Sequence, residues 1–208
     1  MKKWVDGLKS QLQGELPGRK AQFEMANIFR DPDYTIPEDA RHAGVMILLF
    51  PYEGQIHTTF IHRTAHNPND PHSGQVSFPG GKRDETDDSM LACALRETEE
   101  EIGVPVGDIQ VLGGLTQLYI PVSHFNVHPF VGYVPEKPKF SLQESEVRSV
   151  LNLPLMHFFE DGNLDRCDIT VRSFTMKDVP YFRAGENRIW GATAMILNEF
   201  LSVWRKIP

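Results

Sequence analysis

Arg96-Glu97-Thr98-Glu99-Glu100-Glu101-Ile102-Gly103-Val104 places four carboxylates within five positions, fifteen residues after the Gly80-Gly81 pair. On a helix, residues three and four apart share a face, so Glu97, Glu100 and Glu101 converge while Glu99 points elsewhere. Like charges crowded on one face repel. A hard, oxygen-preferring divalent cation turns that repulsion into binding, and Mg²⁺ or Mn²⁺ suits such ligands best. The run therefore predicts a metal-dependent enzyme that acts on phosphates.

The same helix has a second face. Leu91, Leu95, Thr98 and Ile102 recur at core spacing, so one side is buried and the other acidic. The helix is expected from about Ser89 to Ile102, with Asp87 or Asp88 capping its start. Gly103 followed by Pro105 ends it. Arg96 stands beside the acids and can hold a carboxylate with a forked hydrogen bond. Gly80-Gly81 lets the backbone approach the helix without side-chain obstruction.

Outward from this unit, residues 2–13 predict a short helix with Trp4, Val5, Leu8 and Leu12 on one stripe. Residues 14–40 are rich in Pro, Gly and Asp and read as an irregular arm. Residues 1–40 thus form an N-terminal helix and arm, and 41–208 the main domain. Strands are expected at 43–50, ended by Pro51, at 55–63 in a hairpin with the first, and at 75–78. Further strands are expected at 108–118, 125–134, 168–176 and 179–183. A last helix, 191–205, carries Ala194, Leu197, Leu201 and Trp204. Antiparallel hairpins dominate, which suggests a mixed sheet with helices on its faces.

Composition bounds the function. The chain has 208 residues, 40% of them hydrophobic and 13 of them Phe, enough for a sizeable core. A net charge of −7 argues against a nucleic-acid surface. Cys93 and Cys167 have no metal-ligand spacing and read as reduced thiols of a cytoplasmic protein. The lysines near the N-terminus precede no apolar run, so no signal peptide is expected, and the run 44–50 is too short to span a membrane.

Gly81 through Val104 resembles the Nudix box: Gly, five residues, Glu, seven residues, then Arg-Glu-hydrophobic-x-Glu-Glu-x-Gly-hydrophobic. Thr98 stands at the hydrophobic position. The early acid falls on Asp87 counting from Gly81 and on Asp88 counting back from Arg96. Gly80-Gly81-Lys82-Arg83-Asp84-Glu85-Thr86-Asp87 is similar to the turn of the coenzyme A pyrophosphatase branch. Three other stretches agree with that branch: His72 through Gly81, Val122 through Gly132, and Ile189 through Ala194. The resemblance covers roughly residues 41–203. Arg63 to Gly74 departs from it, being two residues longer and lacking a second Arg; Pro68, Asp70 and Pro71 stand there instead.

The resemblance implies an α/β fold of the α+β type, the Nudix fold, with a mixed β-sheet sandwiched between helices. It implies hydrolysis of a nucleoside diphosphate derivative, coenzyme A or acyl-CoA giving phosphopantetheine and adenosine 3',5'-bisphosphate. Related substrates are ADP-ribose, NADH and dinucleoside polyphosphates, and a reading of another class is a nucleotide sensor without turnover. Glu97, Glu100 and Glu101 would hold Mg²⁺ or Mn²⁺, with Arg96 beside them. Glu97, Glu144 or Glu146 would serve as general base. Arg63, Gln75, Ser77, Gly80, Gly81 and Lys82 would bind substrate, with His62, His66 or Lys82 as holders of phosphate in place of the missing Arg. The expected partner is a small nucleotide, with no nucleic acid and no membrane.

Other residues read more plainly. His124 and His128 lie roughly 13 Å apart along a period-two strand, too far for one metal, and are expected to pack or to line substrate. Cys93 is expected as a small buried packing residue. Trp190 and Trp204 are expected in the core or at the interface of a homodimer.

Overall fold

The structure is a computed structural model, and it describes residues 3–27, 31–64, 72–171 and 174–207. The centre is the strand β1, Arg41–Tyr52. Its apolar run is continuous because both faces are covered. Ile47 and Leu49 enter one core, while Met46, Leu48 and Phe50 enter the other. Pro51 does not end the strand. It pairs with Ile56, and the antiparallel hairpin continues to Tyr52 opposite Gln55.

The larger sheet is mixed. β2 (Gln55–Arg63) pairs antiparallel with β1. β3 (Val76–Ser77) pairs with β2 and β4 (Gly80–Lys82) with β1. β5 (Gln110–Gly114) and β6 (Leu118–Ile120) both pair with β7 (Phe125–Tyr133). β7 runs parallel to β1 from Arg41 opposite Phe125 to Leu49 opposite Tyr133. The stretch expected as one strand at 108–118 is thus broken between β5 and β6. β8 (Val147–Pro154), for which the sequence pattern predicts no element, lies along β2.

A second antiparallel sheet has the order β11-β10-β9, with β9 at Leu164–Val171, β10 at Phe174–Ala184 and β11 at Asn187–Trp190. The expected strand 168–176 is really the two arms of a hairpin, with Val171 opposite Phe174.

Helices cover both faces of the larger sheet. The α1 helix (Lys3–Gln13) buries Val5, Leu8 and Leu12, as its spacing predicts. Trp4 lies edge-on to Tyr133 and beside Trp204, with ring centroids 5.2 and 5.4 Å apart. The arm is not wholly irregular, since α2 occupies Gly18–Phe23. Both helices share one core with α4, Gly191–Trp204, and with Ile47 and Leu49. α4 is buried beyond its expected stripe, at Met195, Ile196, Phe200 and Val203 as well. Full burial of a side chain such as Phe200 contributes about 2–3 kcal/mol. The opposite face is covered by α3, Met90–Ile102. Among the described residues, no helix is long and apolar enough to cross a membrane.

Candidate active site

The start of α3 is fixed by Ser89, whose hydroxyl accepts the Ala92 N–H at 3.1 Å. Neither expected aspartate caps the helix. Asp87 is drawn away by a stronger partner, because Arg96 donates from Nε to Oδ1 and from Nη2 to Oδ2, both at 2.9 Å. Asp87 also accepts the Asp84 N–H at 2.8 Å. The guanidinium holds the Asp87 carboxyl well below the usual carboxylate range, at about 2. Gly103 ends the helix with φ +70, a left-handed conformation that glycine adopts at little cost.

Arg96 also reaches two of the helix acids. Its Nη1 donates to Glu97 Oε1 at 2.9 Å and to Glu100 Oε2 at 2.8 Å. Burial, opposed by Arg96, raises the Glu97 pKa, and the charges of Glu100 and Glu146 add to the rise. Glu100 is largely exposed.

Glu101 faces inward and is only 1% exposed. Its Oε2 accepts the Gly80 N–H at 2.8 Å, and its Oε1 lies 3.5 Å from Arg63 Nη1. Burial dominates and pushes its pKa up to about 8, with the Glu97 and Glu146 charges adding to it.

β4 connects these acids to a cavity. At Gly81 a side chain would overlap the Glu97 carboxylate, and at Gly80, with φ +145, it would overlap the backbone of Gly44 and Val45. Both glycines line a cavity of about 740 Å³, within the size range of small-molecule sites. Arg63, Gln75, Ser77 and Lys82 line it too, alongside Phe125, Phe174 and Trp190.

The chain matches the NUDIX domain family model over residues 40–165, more than half its length. It belongs to the Nudix family. The Nudix hydrolase NudL of Escherichia coli O7:K1, itself described as uncharacterized, is 38% identical over 128 residues. That match covers 62% of this chain and spans 66% of the relative's length. The fold is similar to a Nudix hydrolase from M. smegmatis, RenU, with TM-score 0.55 and 14% identity over 81% of this chain and 88% of that one. It is also similar to a MutT protein from Methanosarcina mazei Go1, with TM-score 0.52 and 14% identity over 80% and 95% of the two chains.

Within this Nudix frame the sequence-predicted residues separate into groups. Arg63, Gln75, Ser77, Gly80, Gly81 and Lys82 gather around one cavity. Arg96, Glu97 and Glu100 form a hydrogen-bonded group, with Glu101 set deeper beside Arg63. Among the described residues, no three His, Cys, Asp or Glu side chains already surround one point as a metal cage. The physical reason is visible: Arg96 draws Glu97 and Glu100 toward itself, while Glu101 turns to Gly80. Glu144 and Glu146 are both exposed, and it is the charge of Glu146 that bears on Glu97 and Glu101.

Other predicted residues serve the scaffold. The His62 ring contacts the Gly74 carbonyl at 3.1 Å. His66, Pro68, Asp70 and Pro71 lie outside the described residues. His124 sits in a turn with φ +54 and contacts the Tyr119 hydroxyl at 2.8 Å. His128 contacts His42 on the neighbouring strand at 3.0 Å, a pairing that spacing along one strand cannot reveal. Met25 and Asn27 also line the cavity, although their stretch gave no sequence signal for a site.

Proposed function

We propose that the protein hydrolyses the pyrophosphate bond of a nucleoside diphosphate derivative in a metal-dependent reaction. The substrate we assign is coenzyme A or an acyl-CoA, cleaved to phosphopantetheine and adenosine 3',5'-bisphosphate. One observation carries the reading: Gly80 and Gly81 line the cavity on one side and touch Glu101 and Glu97 on the other. A diphosphate in the cavity therefore lies beside the helix carboxylates with only glycine backbone between them.

The donor set suits a hard divalent cation. Glu97, Glu100 and Glu101 are all carboxylates, and the buried Glu101 Oε1 receives no hydrogen bond among the described residues. These three residues would hold Mg²⁺ or Mn²⁺, whose chemistry there is to neutralise phosphate charge and acidify bound water. Glu97 and Glu100, now bonded to Arg96, would have to turn from it to hold such an ion.

The chain's own residues supply positioning and proton transfer. Arg63 and Lys82 bring positive charge to the cavity wall for the phosphates. Arg96, locked by Asp87, fixes the Glu97 and Glu100 side chains on the acidic face. Glu97 or Glu146 takes the proton from the attacking water; Glu146 is favoured over Glu144 because its charge reaches the buried carboxylates. Phosphorus resonances of the products, followed with coenzyme A and Mg²⁺, test the reading. Two new monophosphate signals beside that of the 3'-phosphate already present support it, and a persistent diphosphate signal contradicts it.

A further inference from the structure

Two strands set side by side bring together residues that spacing along either one keeps apart. β7 lies parallel to β1, with His42 opposite Asn126 and Gly44 opposite His128. Side chains alternate along each strand, so His42, Gly44, Asn126 and His128 share one face of the sheet. It is the face that α3 covers, since a side chain at Gly44 would meet the Met90 carbonyl and the Ala94 backbone nitrogen. Gly44 carries no side chain to crowd His128. The two rings meet nitrogen to nitrogen, with His42 Nδ1 3.0 Å from His128 Nε2 and ring centroids 5.2 Å apart. Asn126 beside them is 2% exposed. Its Nδ2 lies 3.4 Å from His128 Nε2 and donates to Gln117 Oε1 at 2.8 Å. The Asn126 amide oxygen has no hydrogen-bond partner among the described residues.

Two imidazoles this close can share one proton, or both can turn a lone pair to one metal ion. Metal–nitrogen bonds of about 2.0–2.1 Å place two neighbouring ligand nitrogens about 2.9–3.4 Å apart, for angles of about 90–110°. The observed 3.0 Å falls inside that range. We propose that His42 and His128 form a chelating site for a nitrogen-preferring divalent transition-metal ion, Zn²⁺, Ni²⁺ or Cu²⁺, separate from the α3 carboxylates. Ligand chemistry divides the two sites, because carboxylates suit Mg²⁺ and Mn²⁺ whereas imidazoles suit the later metals. The Asn126 amide presents its oxygen as a third donor by turning over, and water completes the shell on the exposed side of His42. Burial, with the charges of His42 and Arg83, holds the His128 pKa below its ordinary value, so the ring is in the neutral form that binds metal. Arg83 opposes a cation, but its side chain is exposed and donates to the Asp87 carbonyl at 3.1 Å, where water and salt screen it. An ion held here ties the start of β1 to β7. Through the Arg83 N–H on the His42 carbonyl, at 2.9 Å, it also steadies the chain that follows Gly80 and Gly81.

The test uses the full, untagged chain with Mg²⁺ in excess, so that the α3 acids are supplied with their own ion, and one equivalent of Cu²⁺ as the probe. Electron paramagnetic resonance of the wild type should show splitting from two imidazole nitrogens. His42→Gln and His128→Gln should each lose that pattern and bind Cu²⁺ more weakly by about tenfold or more. Glu100→Gln should leave the pattern unchanged. Zn²⁺ gives a check that needs no substitution, since it should shift the ring-nitrogen resonances of His42 and His128 before those of the other histidines. A two-nitrogen spectrum that survives both histidine substitutions, or a wild-type spectrum of oxygen ligands alone, overturns the site. So do His42 and His128 resonances that stay in place as Zn²⁺ is added. None of these outcomes depends on turnover, so the site stands or falls apart from the proposed hydrolysis.

Discussion

Arg96 holds Asp87 with two hydrogen bonds of equal length, Nε to Oδ1 and Nη2 to Oδ2 at 2.9 Å, across the loop that leads into α3. The same guanidinium touches Glu97 and Glu100, so one residue ties the loop to the acidic face. Asp87→Asn keeps the shape but removes the charge. A hydrogen bond to a charged group contributes about 1.5–3 kcal/mol, so urea unfolding is expected to show a loss of about 2 kcal/mol at neutral pH. The folded pKa of Asp87 lies below its ordinary value of 3.8, at about 2. Its contribution is therefore present above pH 3.8 and lost as pH falls through 2. The difference between wild type and variant should shrink across that window.

Glu101 carries the opposite sign. Its folded pKa is raised from 4.5 to about 8 by burial. The stability linked to its protonated form is complete below pH 4.5 and lost as pH rises through 8. Without metal, Glu101→Gln should melt above the wild type at pH 8.5 and level with it near pH 4. A metal-free melting curve that favours the wild type at pH 8.5 contradicts this assignment.

Gly81→Ala tests how closely β4 packs on the helix. The new methyl overlaps the Glu97 carboxylate, the far end of a flexible side chain. The fold should survive with a small drop in melting temperature, while turnover falls at least tenfold as Glu97 is displaced. Unchanged kcat/KM would show that the position of Glu97 does not matter.

The two cysteines should differ in reactivity. Cys93 is fully buried against α3's neighbours, and burial pushes its thiol up to about 11, whereas Cys167 is partly exposed. A thiol reagent at pH 8 should label one site quickly in the native protein and the second only on unfolding.

The strongly patterned elements were legible in the sequence. The Val5, Leu8 and Leu12 stripe and the acidic face of α3 repeat at helical spacing, and the short continuous run through β1 fits a strand covered on both faces. β8 was missed because Val147-Arg148-Ser149-Val150-Leu151-Asn152-Leu153 alternates imperfectly, and its pairing with β2 is a tertiary fact. α2 was missed because its six residues begin at a glycine behind Pro17, a local signal for irregular chain; α4 holds it through Glu199 and Asn198. The cavity residues inside the motif could be named from sequence, because motif spacing fixes them. Met25, Phe174 and Trp190 could not, because only the folded chain brings the arm, the hairpin and β11 to one wall.

The most direct test is turnover of coenzyme A by the wild type and by Glu101→Gln at equal protein concentration, with Mg²⁺ or Mn²⁺ supplied. The variant keeps an oxygen for the Gly80 N–H, so β4 stays in place while the charge is lost. The account predicts release of phosphopantetheine by the wild type and a loss of at least a hundredfold in the variant. Full activity in Glu101→Gln, with the fold intact by melting temperature, would contradict the assignment of the α3 carboxylates as the metal-binding, catalytic group.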